Sequence, residues 1–396
     1  MTRDLTRAHL TPRDRRIQTW ALLVAAYREL NARKLFWLSI VLSGLVVLSI
    51  GALGLDENGI TIFVWTLESP FFNAAVIAPE TFYKLLFSNL GVQFWLGLGA
   101  TILALVSTAG IIPDLVTAGT IDMMVSKPVG RTRLFLTKYS TGLLFTALQV
   151  SVFTVACVLV IGIRGGVWEF GLLIAIPLVV LFYSYLYCVC ALVGLLTRST
   201  VASLLLTMIF WFLVFGVQSA EQLVSIGRTA SRLELAAITQ DLEEERSHPD
   251  GADALEVERL EDELAAQRSH DNTWQLVYAP ISLLSTALPK TGETLSLLER
   301  SMEDVAALPS MREERQAERR ADRRRERGED ASPRPDDGAG PAGEIFGSSR
   351  VGGRVLEETV AEERASRSEL YVIGTSLGFE AFILAIACWR FRRRDF

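Results

Sequence analysis

The chain has 396 residues, half of them hydrophobic, with a mean hydropathy of +0.31 and charged residues making up 21%. Apolar residues in that excess, gathered in runs and not spread as core patterns, exclude a soluble protein of this size. The net charge of −6 says little about partners, because the acids sit mostly in one block after Ser219 and the bases gather at the ends of the apolar runs.

From Ile17 to Leu35, the apolar residues Trp20, Leu23, Val24, Tyr27 and Leu30 recur at helical spacing opposite Gln18, Arg28 and Glu29. This pattern predicts an amphipathic helix lying in the membrane interface ahead of the first span. Arg13, Arg15, Arg16, Arg28, Arg33 and Lys34 assign the N-terminal segment to the cytoplasm. No compact apolar stretch lies close to Met1, so a cleavable secretory signal is not expected, and the first span serves as the insertion signal.

A bilayer core takes roughly 20 apolar residues per helix. Six runs meet that length: Phe36 to Leu55, Gly91 to Ile112, Tyr139 to Ile163, Phe170 to Leu196, Val201 to Ser219 and Leu370 to Trp389. Counting from a cytoplasmic N-terminus, Asp56 to Leu90 is external, Pro113 to Lys138 cytoplasmic, Arg164 to Glu169 external and Thr197 to Thr200 cytoplasmic. Glu221 to Glu369 is then external, and the basic tail Arg390 to Phe396 returns inside. Short loops follow the positive-inside rule apart from Lys84 and Arg164.

The stretch Asp114 to Tyr139 between the second and third spans carries Lys127, Arg131, Arg133 and Lys138. At its centre, Thr120 to Val125 reads as a short helical turn with Ile121, Met124 and Val125 on one side and Asp122 facing away. Gly119 and Pro128 bracket it as breakers. A short bounded helix on the cytoplasmic side of two spans suits the transfer of movement from a soluble partner to a membrane domain.

The long block after Ser219 divides by composition. Thr229 to Arg246 and Ala252 to His270 are charged helical patterns on either side of the breaker Ser247 to Gly251. Leu235, Ile238 and Leu242 align on one, and Val257, Leu260 and Leu264 on the other, which predicts a helical hairpin or short coiled coil. Trp274 to Leu288 is apolar but short and interrupted by Pro280, so it reads as re-entrant or interfacial. Met311 to Asp330 alternates Arg and Glu and reads as disordered or as a lone charged helix, and Ala331 to Gly353, rich in Pro, Gly, Asp and Ser, as disordered. Interleaved acids cancel the field of the arginines and no aromatic accompanies them, so no nucleic-acid partner is expected. Val355 to Arg367 leads helically into the sixth span.

Cys157, Cys188, Cys190 and Cys388 all fall inside predicted spans and read as small packing residues. His9, His248 and His270 lie far from them in polar segments, so no metal site is expected. No segment matches a phosphate-binding Gly-x-x-x-x-Gly-Lys-Ser/Thr loop, a Gly-x-Ser-x-Gly elbow or His-Glu-x-x-His. Only Glu380 sits well inside a span, and it reads as a packing or interhelical hydrogen-bonding residue. Catalytic residues and cofactors are accordingly not expected.

The string Gly119-Thr-Ile-Asp-Met-Met-Val-Ser-Lys-Pro-Val-Gly-Arg131, followed by Lys138-Tyr139 at the opening of a span, resembles the coupling-helix signature of type-2 ABC exporter permeases. The connection Leu196 to Ser203 and the amphipathic helix before the first span are similar to that family too. This likeness covers roughly residues 15 to 220 and the last span. It implies the permease half of an ATP-driven exporter, paired with a second permease subunit in a homo- or heterodimer and docked on separate ABC ATP-binding subunits. The ATPase-coupling role then falls on Gly119, Thr120, Ile121, Asp122, Met124, Val125, Lys127, Pro128 and Arg131. One departure stands out: the family usually places Glu a few residues before the Gly-Thr, where this chain has Leu115, Val116 and Thr117, with Asp114 the nearest acid. Nothing carries over to the block from Glu221 to Glu369.

The expected architecture is an all-α polytopic membrane protein in the plasma membrane, with both termini cytoplasmic. Residues 1–220 form a membrane domain with an interfacial helix and five spans; residues 221–369 form an extracytoplasmic helical and disordered insertion; residues 370–396 supply the sixth span and basic tail. A second reading, from another class, is a non-transporting membrane scaffold that presents the hairpin to an envelope partner.

Overall fold

The computed structural model describes residues 34–56, 59–62, 65–68, 82–83, 86–116, 130–166, 168, 170–247, 253–297, 351, 353–365 and 368–393, together with Val24. Its helices are α1 (Lys34–Ala52), α2 (Phe87–Val116), α3 (Arg131–Gly165), α4 (Ala175–Thr197), α5 (Thr200–Arg246), α6 (Ala254–Ala287), α7 (Gly353–Ala365) and α8 (Glu369–Arg393). Six of these, α1 to α5 and α8, are long and apolar enough to cross a membrane, and the fold is all-α and polytopic. The six runs read from the sequence fall on these helices except at two ends: Leu53 to Leu55 leave the first helix, and Phe170 to Ile174 form a 3-10 turn ahead of α4. Hydrocarbon offers no partner for a backbone amide, so a chain this apolar satisfies its N–H and C=O groups within helices.

Two compact units divide the chain: residues 1–211, 293–306 and 378–396 form one, and residues 212–292 and 307–377 the other. Within the first unit, α2, α3 and α4 are the most enclosed spans, and the core holds Ile112, Leu115, Phe135, Phe145, Phe182, Tyr187 and Phe391. Apolar burial drives little association where the solvent is itself apolar, so close approach and polar contacts decide which faces meet. A Cβ on Gly142 of α3 would stand 2.4 Å from the Tyr187 ring of α4, so only glycine lets that ring lie flat on the helix. Gly51 of α1 plays the same part, since its Cβ would lie 2.8 Å from Val160 of α3. Trp95 donates its indole N–H to Ser43 Oγ at 3.1 Å and ties α2 to α1. Buried hydroxyls elsewhere in the spans, among them Thr101, Ser107, Thr141 and Thr207, donate to carbonyls of their own helices.

The two ends of this unit differ. At one end, the chain leaving α1 forms a three-stranded antiparallel meander, β1 (Leu53–Asp56), β2 (Gly59–Ile62) and β3 (Trp65–Glu68), in the order β1-β2-β3. Leu53 pairs with Ile62 and Ile62 with Trp65, and Gly59 adopts a φ of 144° that other residues avoid. The sequence-based first span is thereby shortened: the helix stops at Ala52, and Leu53 to Leu55 extend into β1. Tyr83 donates to the Leu53 carbonyl at 3.4 Å, and the Arg164 guanidinium lies about where a Cβ of Gly54 would project, at 3.1 Å. Tyr83, just ahead of α2, and the end of α3 therefore share this end with the meander. At the other end, Pro113 near the foot of α2 packs on Gly194 near the foot of α4, and Arg131 at the start of α3 donates to the Arg392 carbonyl of α8 at 3.4 Å.

Residues 291–297 form a further short helix. Leu297 and Thr294 are buried, and Leu295 reaches the position where a Cβ of Gly97 would sit, within the length of α2.

In the second unit, α5 continues without a break from the fifth span into the first hairpin arm, and the second arm, α6, continues from Ala254 through Pro280 to Ala287. Leu235, Ile238 and Leu242 pack against Val257, Leu260 and Leu264 in one apolar seam between the arms. The boundary expected before Trp274 is absent, because proline at an exposed helical position forfeits one hydrogen bond in a helix otherwise held along its length by α5. Asp253 caps α6 by accepting from the Leu255 N–H at 3.1 Å. The amphipathic segment expected over Ile17 to Leu35, apart from Val24 and the first turn of α1, lies outside the described residues, as does everything expected of Met311 to Asp330 and nearly all of Ala331 to Gly353.

The Gly142 contact is testable. Replacing Gly142 with Ala forces a methyl into the Tyr187 ring and should cost about 1–3 kcal/mol, read as a lower unfolding midpoint in detergent. Adding Tyr187→Leu should recover part of that loss, whereas a Gly142→Ala protein as stable as the parent would mean that the helices do not meet there.

Candidate functional site

The segment singled out for coupling joins the foot of α2 to the start of α3. Both attachment points are built into the core: Ile111, Ile112, Leu115 and Val116 on one side, Leu134 and Phe135 on the other, are all buried in the same cluster. Phe135 stacks at a tilt on Phe391 of α8 with ring centroids 5.6 Å apart. Asp114, the acid closest to the string, is exposed in the last turn of α2, and Gly130 leaves in an extended conformation, with φ −62° and ψ 138°, before α3 begins. Of the expected coupling residues, Arg131 is described, half-buried against the last turn of α8. Gly119, Thr120, Ile121, Asp122, Met124, Val125, Lys127 and Pro128 lie outside the described residues.

Charge is sorted along the bundle. Lys34, Arg131, Arg133, Lys138, Arg198, Arg390, Arg392 and Arg393 sit on helix ends at the α2-foot side, whereas the meander side has Arg164 among the described residues. The link between α4 and α5 at the basic side is tight. Arg198 takes the left-handed conformation, φ 55°, with its N–H on the Gly194 carbonyl at 3.0 Å, and Ser199 Oγ accepts from the Ala202 N–H at 3.3 Å.

Midway along α8, Glu380 is 8% exposed and turned into the bundle. Tyr139 of α3 donates to its Oε1 at 2.8 Å, and Ser184 of α4 lies 2.8 Å from its Oε2. Among the described residues these two hydroxyls are its hydrogen-bond partners. Ser184 Oγ is also 2.8 Å from the Leu181 carbonyl. An ionised carboxyl accepts from both hydroxyls. A protonated one donates its O–H to Ser184 Oγ, and the serine then donates to Leu181, so the same atoms serve either state. The Tyr139 ring stacks on Tyr187 with centroids 5.1 Å apart, and Tyr187 on Tyr183 at 5.4 Å. Thr108 of α2 donates to the Ala104 carbonyl at 2.7 Å, so its oxygen accepts from the Tyr183 hydroxyl at 2.5 Å. A polar column thus runs from α8 through α3 and α4 to α2. Sequence reasoning found Glu380 but not its partners, since tyrosine and serine in apolar runs carry no mark of the helix they face.

No family model, curated protein or solved structure matches the chain. Among the described residues no group of His, Cys, Asp and Glu is placed to hold a metal ion, and the four cysteines are free thiols.

Glu380→Ala strips Tyr139 and Ser184 of their shared acceptor and should destabilise the protein by about 1–3 kcal/mol, while Glu380→Gln keeps an acceptor and should cost less. Thermal unfolding of both variants, with Tyr139→Phe to close a double-mutant cycle, measures the clasp. Equal losses for Ala and Gln would show that the carboxyl oxygens are not what holds α8.

Proposed function

We propose that this chain is the membrane permease subunit of an ATP-driven exporter of the type-2 ABC kind, and that a separate ATP-binding subunit docks on the string Gly119 to Arg131. The observation that carries the reading is placement: that string is the link between the second and third of six spans, rooted at both ends in the bundle core. A push delivered there would reach α2 and α3 directly, with no slack at either root. The basic end of the bundle faces the cytoplasm, because lysine and arginine are retained on that side of a plasma membrane. Both termini and the docking string then share the compartment that holds ATP. Partly enclosed spans α1, α5 and α8 keep exposed apolar faces, available to lipid and to a second permease subunit. The chain itself performs no hydrolysis in this reading.

The scaffold alternative draws support from the hairpin, whose arms are closed by their own seam, Ile238, Leu242, Leu260 and Leu264, and so present a stable charged surface. Purification from the native membrane separates the two readings. An ABC ATPase that copurifies with the chain supports the permease. In that complex, Met124→Asp removes an apolar contact of the kind that contributes about 1–3 kcal/mol and should release the ATPase or uncouple it, with membrane insertion unchanged. Assembly and transport that survive the substitution would remove the coupling role from this string.

Topology has its own test. Single cysteines at Ser247, Ser332 and Ser368, in a protein freed of its native thiols, should all react in intact cells with an impermeant thiol reagent. Reaction at Ser247 with protection at Ser332 and Ser368 would mean that the Trp274 segment crosses the membrane and that the count of spans is wrong.

A further inference from the structure

The C-terminal half of α6 carries a face that protein leaves bare. Leu276, Leu283 and Leu284 are 79%, 75% and 51% exposed, with Val277 and Pro280 exposed beside them. Between Asp271 and Lys290 the sequence holds no charged residue. Its hydroxyls are turned inward: Thr286 donates to the Ser282 carbonyl at 2.7 Å and Ser282 to Ala279 at 3.0 Å. A helix face without charge and without an open donor is unlike the first half of the same helix, where Leu255 is as exposed but Glu256, Glu258, Arg259, Glu261 and Asp262 surround it.

Contacts with neighbouring helices fix the depth of this segment. Ser285 donates to Glu221, Gln218 Nε2 donates to the Pro289 carbonyl at 2.7 Å, and the Lys290 N–H donates to Ser376 Oγ at 2.9 Å. Ser219 closes the apolar run of α5 and Leu370 opens that of α8. At a rise of 1.5 Å per residue, Ser376 lies about 9 Å inside the α8 run. Higher up, a Cβ on Gly227 would stand 2.7 Å from the Trp274 ring, and the Arg228 guanidinium sits 4.1 Å over the Tyr278 ring. These two positions on α5 are about 12–14 Å beyond Ser219. Tryptophan, tyrosine and arginine collect at the headgroup level of a bilayer. The neighbouring helices carry bare apolar residues as well, Phe212, Leu213 and Phe215 on α5 and Leu370 on α8.

We infer that the half-helix Trp274–Ala287 is a lipid-binding face: Leu276, Leu283 and Leu284 are seated in the bilayer leaflet at the Ser219 and Leu370 ends of the fifth and sixth spans, with Trp274, Tyr278 and Arg228 at its headgroups. The hairpin is thereby fixed to the membrane by its second arm as well as by its continuity with α5. This assignment rests on the contacts of α6 and holds for either orientation of the bundle and for a transporting or a non-transporting protein.

Nitroxide labels placed singly at Leu255, Leu276 and Leu283, in full-length protein freed of its native cysteines and held in lipid nanodiscs, measure the depth. All three side chains are exposed, so the label displaces no packing. Leu283 should be relaxed strongly by dissolved oxygen and weakly by a water-soluble nickel chelate, Leu276 should be intermediate, and Leu255 should show the reverse of Leu283. Leu283 relaxed like Leu255 would place the face in water, and Leu283 shielded from both reagents would mean that a second copy or another protein covers it; either result overturns the proposal. In protein with its cysteines intact, lipids brominated near the headgroup should quench tryptophan emission less after Trp274→Phe, and an unchanged fraction quenched would also overturn it.

Discussion

A carboxyl group in the middle of a membrane-spanning helix sets the terms on which the first unit can pack. Hydrocarbon cannot solvate Glu380, and moving its helix away from α3 and α4 would expose it. Tyr139 and Ser184 each bring a hydroxyl to one carboxyl oxygen, and those two contacts choose the rotation of α8 about its axis. The Arg131 contact to the last turn and the Phe135–Phe391 pair are at the residues that this rotation turns inward. Apolar packing alone would not choose, since a leucine face serves against lipid as well as against protein.

The same logic explains why glycine and tyrosine dominate where helices approach most closely. Gly142 is missing a side chain where Tyr187 needs a flat surface, and the ring so placed stacks between Tyr139 and Tyr183. Tyr183 then reaches Thr108, so α2 joins a column whose far member is Glu380. Its members come from four spans, whose contact geometry is specified by hydroxyls, rings and one absent side chain. On the span portions of α1, α5 and α8 the exposed residues are mainly apolar, among them Leu45, Leu48, Leu205, Phe212, Leu377 and Phe382.

Legibility in the sequence followed the physics of each element. Spans were readable because the bilayer demands length and apolarity together, and both are properties of consecutive residues. The seam of the hairpin was readable for a related reason, since Leu235, Ile238 and Leu242 are spaced at a helical period within a charged background. The meander was not read: its strands have four residues each, too few for alternation to register, and the one hairpin signal, Asn58-Gly59, sits beside a span whose apolarity overshadows it. Pro280 misled in the opposite direction, as a breaker that a supported helix absorbs. Partners of Glu380 were invisible because nothing in a single helix records which neighbour it will face. The coupling string was legible only as a resemblance, and its central residues remain an expectation from sequence.

Both halves of α6 follow one rule. Where the arm stands clear of the apolar runs, its outward residues are charged, and Leu260 and Leu264 meet α5 through a narrow stripe. Where it descends past Arg228 toward Ser376, the charges cease, the inward face turns polar with Ser285 on Glu221, and the leucines turn outward. This inversion of polarity along a single helix is what a change of solvent requires, because water rewards an apolar inside and hydrocarbon a polar one. A soluble arm ending in an ordinary packed tip would have kept one pattern throughout.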